Sequence, residues 1–191
     1  MILSDRDIKK YIKEGRIKII PEPNFEEQLT QCSLDLHLGN SFKTFKTTHY
    51  PYLDLKRKID FEKLMEEIEI EDGAPFILKP KGFVIAVTKE RIILPDDIMA
   101  RLDGRSSLAR LGLLVHSTAG RFDPGWDGKA VMEFSNTGIM PIILYAGMRI
   151  CAMTFETISS PAETPYLKHK DHKYADQDSS AACKLNQEPK L

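Results

Sequence analysis

Residues 127–136 read DGKAVMEFSN, and how this stretch is read decides the fold class. Ala130, Met132 and Phe134 fall on one face of an extended chain, with Val131, Glu133 and Ser135 on the other. That period-two pattern is the signature of a half-buried strand. Asp127-Gly128 is a two-residue hairpin signal, so a tight turn is expected to introduce the strand. Glu133 points away from the larger apolar side chains. That position suits an ordinary solvent-facing glutamate as well as a carboxylate turned into a site.

Outward from this strand, β-rich pieces recur at close intervals: PFILK (75–79), GFVIAVTKERIIL (82–94), PIILYAG (141–147) and RICAMTFETI (149–158). Turn signals separate them at residues 80–82, 95–97, 123–125 and 146–147. Many short strands with few helices predict a mainly β chain, an antiparallel sandwich or barrel. Upstream, CSLDLHLGNSF (32–42) alternates with Leu34, Leu36 and Leu38 on one face, and Gly39-Asn40 is read as a closing turn. LSDRDIKKYIKEG (3–15) predicts a short amphipathic helix over about residues 4–15, with Ser4 as N-cap, Asp7 at the capping-box position and Gly15 as C-cap. RKIDFEKLMEEIEIEDG (57–73) is charged and partly helical, a surface excursion between strands. The last stretch, residues 166–191, is polar without a periodic apolar face and predicts a mobile tail on a single domain spanning residues 1–165.

Composition limits function. With 191 residues, 42% hydrophobic and 29% charged, the chain can bury one real core. A formal net charge of −1 gives no global basic field for nucleic acid, so a polyanion would need a local arginine cluster. No apolar run is long enough to cross a bilayer and no signal-peptide layout opens the chain, which predicts a cytoplasmic protein without a membrane partner. Three scattered cysteines, Cys32, Cys151 and Cys183, argue against a disulfide framework or a zinc knuckle.

RSSLARLG (105–112) supplies such an arginine cluster. If Ser106 starts a helical turn, Ser106 and Arg110 share one face, while Leu108 and Leu111 anchor another in the core. Gly104 permits close backbone approach, and Arg105 and Arg110 offer planar, charge-assisted donors for phosphate oxygens. A capped turn with solvated arginines fits the pattern equally. Asp123, ahead of Pro-Gly, reads as a turn former, Trp126 as a core or interface residue, and His116 as a satisfied core histidine. His169 and His172 are three apart, but no cysteine or carboxylate completes a metal set, and His37 and His49 have no evident partner.

Taken together, GRSSLARLGL (104–113), HSTAGRFDPGWDG (116–128) and VMEFSNTG (131–138) resemble the deoxycytidine triphosphate deaminases of the trimeric dUTPase superfamily. QCSLDLHLG (31–39), SPAETPY (160–166) and KYADQ (173–177) extend the resemblance over nearly the whole chain. It implies a distorted β-barrel or jelly-roll (dUTPase-like) subunit and a homotrimer with active sites between subunits. The implied reaction is hydrolytic deamination of dCTP to dUTP and ammonia, supplying dUMP for thymidylate synthesis. Carried over by motif, Arg105, Ser106, Ser107, Leu108, Ala109 and Arg110 face the triphosphate and the reacting region, with Ser106 and Arg110 assisting the chemistry. Asp123 holds the deoxyribose 3′-hydroxyl; Val131, Met132 and Glu133 line the base pocket, with Glu133 the catalytic carboxylate. Tyr166, Lys173 and Gln177 close over the nucleotide.

The resemblance implies Mg²⁺ bound through the triphosphate, no protein-held metal, and dTTP as a candidate feedback inhibitor. The H-x-E…P-C-x-x-C arrangement of zinc deaminases is absent from the sequence. Arg121 matches the deaminases that release dUTP, whereas dUMP-forming relatives tend to carry an apolar or aromatic residue there; its alternative is a simple ion pair with a neighbouring acid. The competing readings are a bifunctional deaminase and diphosphatase forming dUMP, and a non-catalytic nucleotide-binding module. A plain dUTPase fits less well, because its glycine-rich C-terminal motif is missing.

Overall fold

The computed structural model describes residues 1–46, 52–57, 59–71, 73–116, 118–170 and 172–185; His49 and the last six residues of the C-terminal stretch lie outside them. In chain order, Asp5–Lys13 forms α1, Lys18–Ile20 β1, Phe25–Gln28 α2, Leu34–Phe45 β2, Phe61–Leu64 α3, Met65–Glu69 β3, Pro75–Leu78 β4 and Phe83–Ile93 β5. Ile98–Gly104 follows as β6, Ser106–Ala109 as α4, Leu113–Leu114 as β7, Arg121–Phe122 as β8, Asp127–Asn136 as β9, Ile142–Tyr145 as β10 and Arg149–Thr157 as β11. A 3₁₀ turn covers Tyr166–Lys168.

The mainly β reading holds. Among the described residues, one antiparallel sheet runs β7-β9-β5-β2-β11-β6-β8 and curls into a half-barrel, with β1 added to β5 and β3 to β2. β4 and β10 pair separately. The curl encloses Leu34, Leu36 and Leu38 from β2 and Ala130, Met132 and Phe134 from β9, all fully buried. Burying each large apolar side chain contributes roughly 1.5–3 kcal/mol, so these alternating faces are what close the sheet.

Four local expectations need correction. Asp127-Gly128 makes no hairpin: both residues lie inside β9, paired with Ile93 and Ile92. Gly39-Asn40 does not end its strand either, since β2 continues to Phe45 with a register shift between Leu38 and Phe42. At 127–128 the neighbouring β5 supplies partners that override the local turn preference, whereas 39–40 are accommodated as an irregularity within β2. Ser4 occupies the N-cap of α1, but its side chain makes no capping bond; the helix is aided instead by Asp5 and Asp7 in its first turn and Lys10 and Lys13 in its last. The charged excursion joins the sheet, β3 pairing with β2 from Ser41↔Glu69 to Phe45↔Met65.

A second irregularity shapes the site. β5 and β9 pair at Val87↔Val131 and next at Arg91↔Lys129, so β5 carries two extra residues there. Thr88 fills the gap: its Oγ1 accepts from Ala130 N at 3.0 Å and donates to Glu90 O at 2.7 Å. Such a bulge re-aims the side chains beyond it. Glu90 turns inward to meet His37 Nδ1 at 2.6 Å and Gln28 Nε2 at 3.3 Å, which gives His37 the partner its sequence context does not show.

Candidate active site

The inward set of β9 fixes the outward set. Because Met132 and Phe134 are fully buried, Glu133 must emerge on the opposite face, beside Ile85 of β5. There it reaches a cleft of about 610 Å³ whose walls include Asp123, Val131, Glu133, Tyr166 and Gln177. Five residues picked out from the sequence thus share one cavity. Met132, also expected there, keeps its side chain in the core and can offer only backbone.

Turn chemistry brings these residues together. Gly125 has φ +80°, and a Cβ on it would meet Pro165 Cβ at 2.5 Å, so glycine lets the chain before Tyr166 lie directly on the Pro124-Gly125 turn. Tyr166 N donates to Pro124 O at 2.8 Å. The Tyr166 ring then packs 5.2 Å from Trp126, which meets Phe122 edge-on at 5.0 Å. Trp126 is therefore a core residue that also backs the cleft. Burial pushes the Tyr166 phenol above its ordinary pKa, so it stays protonated, and its oxygen accepts from Tyr174 N at 3.1 Å. Tyr174 also lines the cleft, although sequence reasoning left it in a solvated tail.

The C-terminal residues are folded onto the body. Asp176 N donates to Asp127 O and Lys129 N to Gln177 O, both at 2.8 Å. Gln177 is buried, and among the described residues its Oε1 has no hydrogen-bond partner. Ser180 is buried against Ser41, and Ala182 packs with Phe61 and Met65 of the excursion. Lys173 does not line the cleft; its carbonyl accepts from Lys184 Nζ at 2.6 Å.

One ion pair and one close histidine–carboxylate contact edge the cleft. Arg121 Nε lies 2.9 Å from Asp123 Oδ1, so the arginine pairs with the very carboxylate expected to meet the sugar. Glu133 Oε2 lies 2.7 Å from His116 Nδ1. The ring nitrogens of His116 are buried, but the expected satisfied histidine is not found: the contact is out of line for an N–H···O bond, and among the described residues neither nitrogen has a hydrogen-bond partner. His116 lines a second cleft, of about 630 Å³, that extends to Gly104 and shares Ala119 and Arg121 with the first.

The arginine turn stands apart. Ser106–Ala109 is helical, as expected, and Leu108 packs against the core, but Leu111 is 63% exposed and anchors nothing. Arg105 Nε lies 3.1 Å from buried Asp35, and its Nη1 donates to Arg149 O at 3.1 Å. Ser106, Ser107, Ala109 and Arg110 are exposed. Not one of residues 105–110 lines the cleft that holds Glu133. Within a single chain, the two halves of the expected site do not meet. Among the described residues, no three His, Cys, Asp or Glu side chains gather closely enough to hold a metal ion.

The fold has a counterpart among solved structures. The structure of 2′-deoxycytidine 5′-triphosphate deaminase from Agrobacterium tumefaciens matches with a TM-score of 0.64 over 82% of this chain, at 22% identity. This chain spans about half of that one, 48% of its length. A family model described as dCTP deaminase-like matches residues 2–158, and the chain belongs to this family of enzymes. The "dCTP deaminase" of Thermomicrobium roseum is 51% identical over 100% of this chain and 97% of its own. The "dCTP deaminase, dUMP-forming" of Dictyoglomus thermophilum is also 51% identical, over 97% of this chain and 95% of its own.

Proposed function

We propose that the chain deaminates dCTP hydrolytically, releasing dUTP and ammonia. The observation that carries this reading is Glu133, a carboxylate set in the wall of a cleft shared with Asp123, Val131, Tyr166 and Gln177. In the reaction, water attacks C4 of cytosine while Glu133 accepts its proton and passes it to N3. The proton of the new C4 hydroxyl then passes through Glu133 to the 4-amino group, and ammonia leaves as the C4 carbonyl forms. A positioned acid–base group contributes about 10²–10⁴-fold, so other groups must orient the water and stabilise developing charge. Ser106 and Arg110 take that part. Asp123 receives the 3′-hydroxyl. The buried, unpartnered Gln177 Oε1 is an acceptor for the nucleotide, because leaving it unpaired costs about 1–3 kcal/mol.

Since residues 105–110 and Glu133 line different surfaces of one chain, each active site takes its arginine turn from a second copy, in a homotrimer. Arg105, held by Asp35, and Arg110 then meet the triphosphate, which arrives with Mg²⁺ on its oxygens. dTTP shares the deoxyribose triphosphate and competes for the same groups. No helix among the described residues is long and apolar enough to cross a membrane.

A second reading has its own support. A relative that is 51% identical is named dUMP-forming, so the triphosphate can be the target of a further hydrolysis. The Arg121–Asp123 contact is the simple ion pair that formed the alternative reading of Arg121, so the choice of product falls to experiment. Incubation with dCTP and Mg²⁺, followed by ion-exchange separation, decides. Ammonia and dUTP without pyrophosphate support the first reading; dUMP and pyrophosphate rising in step with ammonia establish the second. No ammonia from dCTP overturns both.

A further inference from the structure

One arginine outside the substrate-facing set gathers an unusual number of acids. Arg91, just beyond the Thr88 bulge on β5, places each guanidinium nitrogen against a different carboxylate. Nε lies 2.7 Å from Asp127, Nη1 lies 2.9 Å from Asp178, and Nη2 pairs with Asp176. Asp127 begins β9, while Asp176 and Asp178 belong to the C-terminal segment. The Arg91 side chain is 21% exposed, whereas Asp176 and Asp178 are 78% and 71% exposed. The segment's acids have therefore been drawn onto a largely covered cation.

Local geometry directs this pull at the cleft. Asp176 and Asp178 flank Gln177, so holding both from one side turns the residue between them to the other, where Gln177 is buried and lines the cleft. The backbone bonds Asp176 N to Asp127 O and Lys129 N to Gln177 O lie beside the same arginine, whose strand pairs Arg91 with Lys129. Gly128 completes the seat: a Cβ there would meet Gln177 N at 3.0 Å.

We propose that Arg91 is a positioning residue for the active site, an electrostatic clasp that holds residues 176–178 down and so keeps Gln177 in the cleft wall. It touches no substrate and acts through the segment alone. Isolated exposed ion pairs contribute little, but a single planar cation shared by three carboxylates is a network with fixed geometry. Its effect on turnover rests on the proposed deamination; its effect on the segment does not.

The expected kinetics follow from populations. A nucleotide that needs the segment down binds more weakly in proportion to the fraction held down, while saturating nucleotide pulls it down regardless. Loss of the clasp should therefore raise KM and spare kcat. The Ser41–Ser180 contact remains as a second tether, so the segment loosens without leaving.

The test compares wild type with Arg91→Gln, Arg91→Lys and the double variant Asp176→Asn/Asp178→Asn, which alters only exposed side chains and leaves the sheet untouched. Hydrogen exchange at the Lys129 and Asp176 amides, measured without nucleotide, should speed up in Arg91→Gln and in the double variant, with thermal unfolding of the double variant unchanged. KM for dCTP should rise by about tenfold, with kcat within about twofold of wild type. Raising NaCl from about 0.05 to about 0.5 M without nucleotide should speed exchange at both amides in wild type and leave Arg91→Gln nearly flat. Arg91→Lys should fall between, since an ammonium cannot span three carboxylates. Unchanged exchange at both amides, or faster exchange with an unchanged KM, overturns the proposal. If wild type releases no ammonia from dCTP, the proposed function fails and the amide exchange alone judges the clasp.

Discussion

Glu133 Oε2 and His116 Nδ1 stand 2.7 Å apart, yet among the described residues the imidazole makes no hydrogen bond through either ring nitrogen. Two buried ring nitrogens left unsatisfied in this way call for an explanation, and their position beside the cleft carboxylate supplies one. His116 limits where the Glu133 carboxylate can swing, from the side that faces the second cleft. His116→Phe keeps the ring volume and removes the polar contact. It should lower kcat for dCTP by about tenfold or more through lost orientation, with little change in thermal midpoint, because no hydrogen bond is lost. Steady-state ammonia release and a melting curve check both halves.

Glu133→Gln keeps the shape of the side chain but cannot accept a proton. Ammonia release should drop by at least about 10²-fold, while dCTP affinity measured by calorimetry stays close to wild type. Turnover near the wild-type rate would remove Glu133 from the mechanism.

The separation of the arginine turn from Glu133 within one chain makes a complementation experiment informative. Arg110→Ala and Glu133→Gln should each be inactive alone. Dissociated, mixed in equal amounts and reassembled, they should recover about a quarter of the wild-type activity, because one in four sites combines two intact halves. Absence of any recovery in properly reassembled trimers would mean that each site is built from a single chain.

A chain ending at Lys170 retains Tyr166 and its packing on Trp126 but lacks Gln177 and the clasped residues. It should melt within a few degrees of the full chain, yet lose most of its activity at low dCTP. Ending the chain before Tyr166 is a different experiment, since that also strips an aromatic ring from the core edge.

Burial pushes the Cys151 thiol well above its ordinary pKa, and the nearby carboxylates of Glu90 and Asp35 push the same way. Cys32 and Cys183 are exposed. Iodoacetamide at neutral pH should therefore modify Cys32 and Cys183 in the native protein and reach Cys151 only after unfolding. Peptide mass mapping before and after denaturant distinguishes the three.

The strands were legible because their apolar residues alternate: Leu34, Leu36 and Leu38, and Ala130, Met132 and Phe134, announce which face is inside. The misread points are those where a local preference met a stronger tertiary partner. Asp-Gly at 127–128 is a good turn former but sits opposite β5, which pairs with both residues, and Gly-Asn at 39–40 is absorbed as an irregularity between Leu38 and Phe42 of β2. The cleft residues were legible by motif. Their neighbours Tyr174 and Arg91 were not, because a polar segment held by backbone bonds and ion pairs leaves no periodicity to read. His116 and Glu133 are brought together by the path of the chain through Gly120 and β9, which no spacing rule encodes. Leu111 failed as an anchor because α4 is a single turn, too short to hold two leucines against one surface.

The folded-down C-terminal residues can also be regarded as a tethered ligand of their own body. They pair with Asp127 and Lys129 through two backbone hydrogen bonds, from a connection that begins at Pro165. A short connection of this kind presents its end at an effective concentration on the order of millimolar, so docking costs none of the translational freedom that a separate molecule would lose. Contacts too weak to bind a free peptide therefore suffice to hold the segment in place. In the proposed reaction, the same weakness would let nucleotide enter beneath the segment and product leave.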